Sequence, residues 1–216
     1  MDNTALKKLT IDDLSSVSEV HLRAFKGRAL STLGKEAVRR YYEWQLLGPH
    51  QSICLGAFND NNLAGFCFGG VFRSATSGFL RKNKWYLTLR VITHPWLIAS
   101  PIFRERLELG LRILRNNPKE HKVTSINKSE MAQIQSFGIL AIGVDPRYQG
   151  FGYGKKLMME EEKNAIEQGF QRMQLSVDKN NYHAIGFYES LGWKKEFSLN
   201  GNWSGLMIKW LSPLNG

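Results

Sequence analysis

Cysteine is scarce in this chain of 216 residues, which has two, Cys54 and Cys67. Both fall in expected neighbouring strands, and no other spacing suggests a secreted disulfide scaffold, so buried free thiols are the expectation. No His/Cys cluster has metal-ligand spacing, which predicts no bound metal. No run of 18 apolar residues occurs, so no segment is expected to span a bilayer. The opening Met-Asp-Asn-Thr-Ala-Leu-Lys-Lys lacks the apolar stretch of a secretory signal, and a soluble, cytoplasmic protein is expected. Acidic residues are also short, 19 against 29 Lys and Arg, leaving a net charge of +10. The deficit is local: between Arg73 and Lys122 there are 11 Lys/Arg and only three acids. Such asymmetry points to anionic partners, yet no nucleic-acid motif accompanies it, so no specific nucleic-acid partner is expected. Repeats, low-complexity tracts and linkers are absent. With 43% hydrophobic residues the chain is expected to form a single domain over 1–216.

What is present is concentrated in the second half. An apolar strand, Phe137–Val144, runs into Asp-Pro-Arg-Tyr-Gln149-Gly150-Phe151-Gly152-Tyr153-Gly154-Lys155, and the loop opens a helix from Gly152 to about Gln168. Glycine lets the backbone approach an anion closely. The first amides of a helix lack intrahelical partners, and the dipole adds positive charge there. The loop therefore reads as a diphosphate cradle. A P-loop is excluded, because Gln149 and Lys156 stand where it needs Gly and Ser/Thr. A dinucleotide fingerprint is excluded, because Lys155 stands where its third glycine belongs.

Some 20 residues later come a β-like run, Met173–Val177, and Asn181-Tyr-His-Ala184-Ile-Gly-Phe187-Tyr188-Glu-Ser-Leu-Gly192-Trp193. Asn181, Ala184 and Tyr188 share one helix face, and Gly192 suits a C′ position. Asn181 alone also reads as a plain N-cap, and Phe187-Tyr188 as a core aromatic pair. Gln149-x-x-Gly152-x-Gly154, the strand, Asn-x-x-Ala-x-x-x-Tyr and Gly-Trp, in this order, resemble the acetyl-CoA-binding core of the GNAT acyltransferase superfamily. The resemblance implies an α/β (α+β) fold. It has a central mixed, mostly antiparallel sheet, splayed between the fourth and fifth strands.

The rest of the chain fits that order. Ala5–Leu9 reads as a strand. Thr10 is the expected N-cap of a helix carrying Leu14, Val17, Val20, His21, Ala24 and Phe25. A second helix is expected over 35–46. Strands at 52–58 and 63–71 flank the turn Asn59–Asn62. An insert of about 60 residues, 73–135, precedes the acetyl-CoA core at 136–197. It is basic and aromatic, with helices expected over 78–93 and 101–116. Strands at 173–177, 194–197 and 203–211 and a helix at 182–191 complete the chain.

The resemblance implies an acyltransferase moving acetyl from acetyl-CoA to a primary amine by direct attack. It assigns the pyrophosphate to Gln149, Gly150, Phe151, Gly152, Tyr153, Gly154 and Lys155. It assigns the pantetheine arm and its surroundings to Asn181, Ala184 and Phe187. A backbone N–H within Ile142, Gly143 and Val144 would polarise the thioester carbonyl, and Tyr188 would protonate the departing thiolate. Many family members carry a Glu on the fourth strand; Phe137–Val144 has no carboxylate. His21, Glu43 or a water chain remain as bases. His21-Leu-Arg-Ala-Phe25-Lys-Gly27 through Gly34, followed by Tyr41-Tyr42, resembles GNAT enzymes associated with surface-polysaccharide biosynthesis. That implies a small-molecule amine acceptor, a nucleotide-linked amino sugar. Peptide or lipid-linked amines, membrane contact through 78–115, a homodimer, and a basic nucleic-acid or CoA-binding protein without catalysis remain open at this point.

Overall fold

The computed structural model describes residues 4–99, 104, 108, 110 and 135–212. Apolar runs and a tight turn at Asp60-Asn61 fold the first half into antiparallel strands β1 (Thr4–Lys8), β2 (Gln51–Asn59) and β3 (Asn62–Val71). β4 (Phe137–Val144) joins β3 antiparallel, and β5 (Arg172–Ser176) lies parallel to β4. β6 (Lys194–Phe197) and β7 (Trp203–Trp210) complete a seven-stranded sheet ordered β1-β2-β3-β4-β5-β7-β6. This is the mixed, mostly antiparallel sheet expected.

Helices cover both faces. α1 (Leu14–Ala24), α2 (Ala29–Thr32) and α3 (Lys35–Leu47) precede β2, and α4 (Ala75–Lys82), α5 (Lys84–Thr93) and α6 (Trp96–Ala99) follow β3. α7 (Tyr153–Glu167) and α8 (Tyr182–Ser190) flank β5 in the chain. Strand register decides which residues meet which layer. Leu55, Cys67 and Ile142 lie opposite one another on the α7 face, with Leu157 and Met158. Cys54, Phe68 and Ala141 share the other face, with Val17 of α1 and Tyr42 of α3. Cover on both faces is why β2 and β3 read as near-continuous apolar runs. It also separates Cys54 from Cys67, and both are buried free thiols.

Three local expectations are corrected. Thr10 does not cap α1: its N–H and its hydroxyl both donate to Asp13 Oδ2, at 2.8 and 2.9 Å. That closes a turn, and the helix begins only at Leu14. The helix expected over 78–93 divides at Asn83, a buried residue whose side-chain Nδ2 donates to Phe79 O at 3.1 Å. Phe79 O accepts the Asn83 backbone N–H as well, at 3.0 Å, closing the last turn of α4, and α5 restarts beyond it. Third, α2 was not anticipated, since four residues carry too little periodicity to read. The expected 101–116 helix lies outside the described residues, apart from 104, 108 and 110.

One irregularity shapes the sheet around the site. β4 pairs with β5 only through Phe137–Ile139 and Met173–Leu175. At the next residue its register with β3 shifts, Phe68 facing Ala141 and Gly69 facing Ile139, so Leu140 is extra. A bulge bends its strand, and the rest of β4 runs without β5 beside it.

Candidate active site

The loop after β4 is held from below. Asp145 is fully buried and accepts from Arg147 N–H at 3.0 Å, from Arg147 Nη2 at 2.8 Å and from Arg23 Nε of α1 at 2.7 Å. The bonds from Arg147, ahead of the Arg23 charge, draw its carboxyl down to about 2. Sequence reasoning passed over Asp145; the signal was an Asp directly before Pro, a turn-initiating pair. Gln149 Nε2 donates to Val144 O at 3.2 Å, fastening the loop to the strand end. Gly150 and Gly152 take φ of 84° and 80°, left-handed values that strain any residue with a Cβ. Around both the space is open. Gly154 serves differently: a Cβ there would sit 3.4 Å from Phe187 and 3.6 Å from Val144, so helix, strand and α8 converge on it. The first turn of α7 holds no acidic residue, and Lys155 is exposed there. Phe151 is also exposed, whereas Tyr153 is buried against Tyr148.

α8 begins at Asn181, whose Oδ1 accepts the Ala184 N–H at 3.2 Å, the N-cap geometry anticipated. Its Nδ2 donors remain for another group. Phe187 and Tyr188 pack against the same cluster as Ile142 and Val144. The Tyr188 ring lies 6.1 Å from Trp193, and burial, helped by Cys67, raises its hydroxyl well above the ordinary tyrosine range. Cys67 is opposite Ile142 in the register, which sets Tyr188 on the α7 side of mid-β4.

Amide direction follows from one bond. Asp145 N–H donates to Ala64 O at 2.8 Å. In an antiparallel ladder hydrogen-bonded pairs alternate, so Gly143 with Phe66 and Ala141 with Phe68 bond across to β3. Ile142 and Val144 then turn their N–H groups to the side where β5 has departed. Gly143 instead contributes its missing side chain, since a Cβ there would meet Phe25 at 3.0 Å.

His21 is a core residue in its surroundings. Its Nδ1 lies 2.9 Å from Tyr42 Oη, its ring 4.7 Å from Phe25, and its buried Nε2 has no partner among the described residues. Burial lowers its pKa to about 4, so it is neutral at pH 7 and a weak base. Glu43 is committed to Arg39 at 3.4 Å.

On the face opposite α7, a cleft of about 330 Å³ opens where the β4–β5 pairing ends, lined by Gly138, Leu140, Gln174, Ser176, Phe72 and Leu206 among others. Arg172 donates to Gln174 Oε1 at 3.3 Å, leaving the Gln174 amide its two N–H donors. Above the gap, Arg28 of the α1–α2 connection bonds Asp178 at 2.8 Å.

Comparison with known proteins agrees with this geometry. A model of the Acetyltransferase (GNAT) family matches residues 117–193. An uncharacterized N-acetyltransferase, ycf52-like, of Prochlorococcus marinus is 28% identical over 88 residues, 41% of this chain and 47% of that protein. The spermine/spermidine N(1)-acetyltransferase of Bacillus subtilis is 36% identical over 67 residues, 31% of this chain and 44% of that protein. The matches thus span less than half the length of these relatives. The PaiA N-acetyltransferase of Thermoplasma acidophilum, solved with coenzyme A, superposes with a TM-score of 0.54 at 17% identity, covering 96% of this chain and 98% of that one. The chain has the GNAT fold, and its residues 117–193 match the Acetyltransferase (GNAT) family.

Proposed function

We propose that the protein transfers acetyl from acetyl-CoA to a primary amine, the amine being carried on a nucleotide-linked sugar. The observation that carries this reading is the β4–β5 gap, reached from the α7 side by the glycine loop and from the other side by the cleft. Acetyl-CoA supplies the activated acyl group. The amides at the start of α7 and Lys155 hold the diphosphate, and Asn181 Nδ2 holds the pantetheine arm. The Ile142 or Val144 N–H, aimed into the gap, stabilises the oxyanion as the amine attacks. Tyr188 gives its proton to the departing thiolate. With His21 weakened by burial and Glu43 tied to Arg39, water in the cleft takes the ammonium proton.

The cleft's chemistry supports this choice of acceptor class. None of its described lining residues is a carboxylate, which a polyamine would require. Gln174 and Ser176 suit sugar hydroxyls. The test is release of CoA thiol from acetyl-CoA with dTDP- and UDP-linked amino sugars, spermidine and a lysine peptide in parallel. Release that depends on one nucleotide-linked amino sugar is expected, with spermidine at background. Spermidine turned over as well as any sugar would overturn the acceptor assignment.

A further inference from the structure

α5 half-buries Leu87 and Val91 yet turns large apolar side chains outward as well. Its inward side is held by polar anchors: the Arg40 guanidinium of α3 stacks on Tyr86 at 4.5 Å, and Arg90 Nε donates to Leu33 O at 3.1 Å. Its outward side carries Trp85, Leu89 and Ile92, spaced one and two turns apart and 77, 61 and 69% exposed. Trp96, 64% exposed, lies just beyond. From 73 to 99 the chain has five cations, Arg73, Arg81, Lys82, Lys84 and Arg90, and no acid. Lys84 Nζ sits 5.3 Å over the Trp85 ring, so cation and aromatic face outward together.

We infer that this face of α5 docks on an anionic lipid surface. A row of large apolar side chains with tryptophans, flanked by lysine and arginine, is what the boundary between headgroups and acyl chains accepts. Ten residues of helix reach about 15 Å, half the hydrocarbon thickness of about 30 Å, so α5 lies in the plane of the surface. A second copy of the chain fits less well. A two-fold contact sets the same patch against itself, which would oppose its own cations, Lys84 among them, to one another. A stable protein interface also takes about 20–30 residues a side, where this row offers four. Because α5 rests on α3 and on the Leu33-Gly34 turn, docking sets the helical layer above the cleft against the membrane.

The test is co-sedimentation of the full chain with phosphatidylcholine vesicles, with and without phosphatidylglycerol, and it reads binding independently of any acetyl transfer. Binding is expected only with phosphatidylglycerol. A Trp85→Ser/Leu89→Ser/Ile92→Ser variant, unchanged in thermal midpoint, is expected to bind at least about tenfold more weakly. Equal binding by that variant would reduce the contact to bulk charge and overturn the proposal. So would failure to bind phosphatidylglycerol vesicles, or a solution dimer that the same substitutions dissociate.

Discussion

Replacing Tyr188 with Phe is expected to lower kcat by about 10²–10³-fold while leaving the acetyl-CoA dissociation constant unchanged. Phenylalanine keeps the ring that packs on Phe187 and Trp193, so what is removed is the hydroxyl alone. Burial holds that hydroxyl protonated throughout the neutral range, and the same low-polarity surroundings disfavour a bare thiolate. In the proposed mechanism the proton is delivered where the leaving charge is least tolerable. A hundredfold loss corresponds to about 2.7 kcal/mol of transition-state stabilisation. Steady-state turnover together with calorimetric acetyl-CoA binding separates the terms. Turnover within about twofold of wild type would remove Tyr188 from the chemistry.

The second large effect concerns stability. Glu161 of α7 is fully buried, and neither carboxyl oxygen has a hydrogen-bond partner among the described residues. Gly69 of β3 makes the room: a Cβ there would stand 2.5 Å from Oε2. Burial, with Glu160 adding to it and the Cys67 thiol slightly opposing, pushes its pKa up to about 9. The folded chain thus keeps a proton that the unfolded chain releases near 4.5. Between those values the folded state binds more protons, so stability falls as pH rises, by up to about 1.4 kcal/mol per unit from this group. Glu161→Gln is expected to match wild type near pH 5 and to exceed it by on the order of 3 kcal/mol near pH 8. Urea unfolding at the two pH values checks this. An equal offset at both would mean that the carboxyl does not titrate in the fold.

Much of the site was legible because local rules govern it. Glycines at 150 and 152 stand where φ must be positive, Asn181 caps α8, and β4 begins and ends where its apolar run does. What escaped depends on partners distant in the chain. Glu161 sits within Glu160-Glu161-Glu162-Lys163, which reads as a solvated helix face until Gly69 is seen to receive it. Asn83 marks the break between α4 and α5, and one partner of its buried amide, Arg40, lies 43 residues away. Asp145 acquires its meaning from Arg23, 122 residues away. His21 looked available as a base on α1, yet Phe25 and Tyr42 enclose it.

The alternation along β4 gives one strand two kinds of amide proton. Those of Ala141 and Gly143 are bonded across to β3 and exchange with solvent only when the sheet opens. Those of Ile142 and Val144, between and beside them, face the gap and exchange freely in the unliganded protein. A ligand seated against β4 slows the second set and leaves the first unchanged. Exchange resolved by residue parity would thus report occupancy of the gap separately from stability of the sheet.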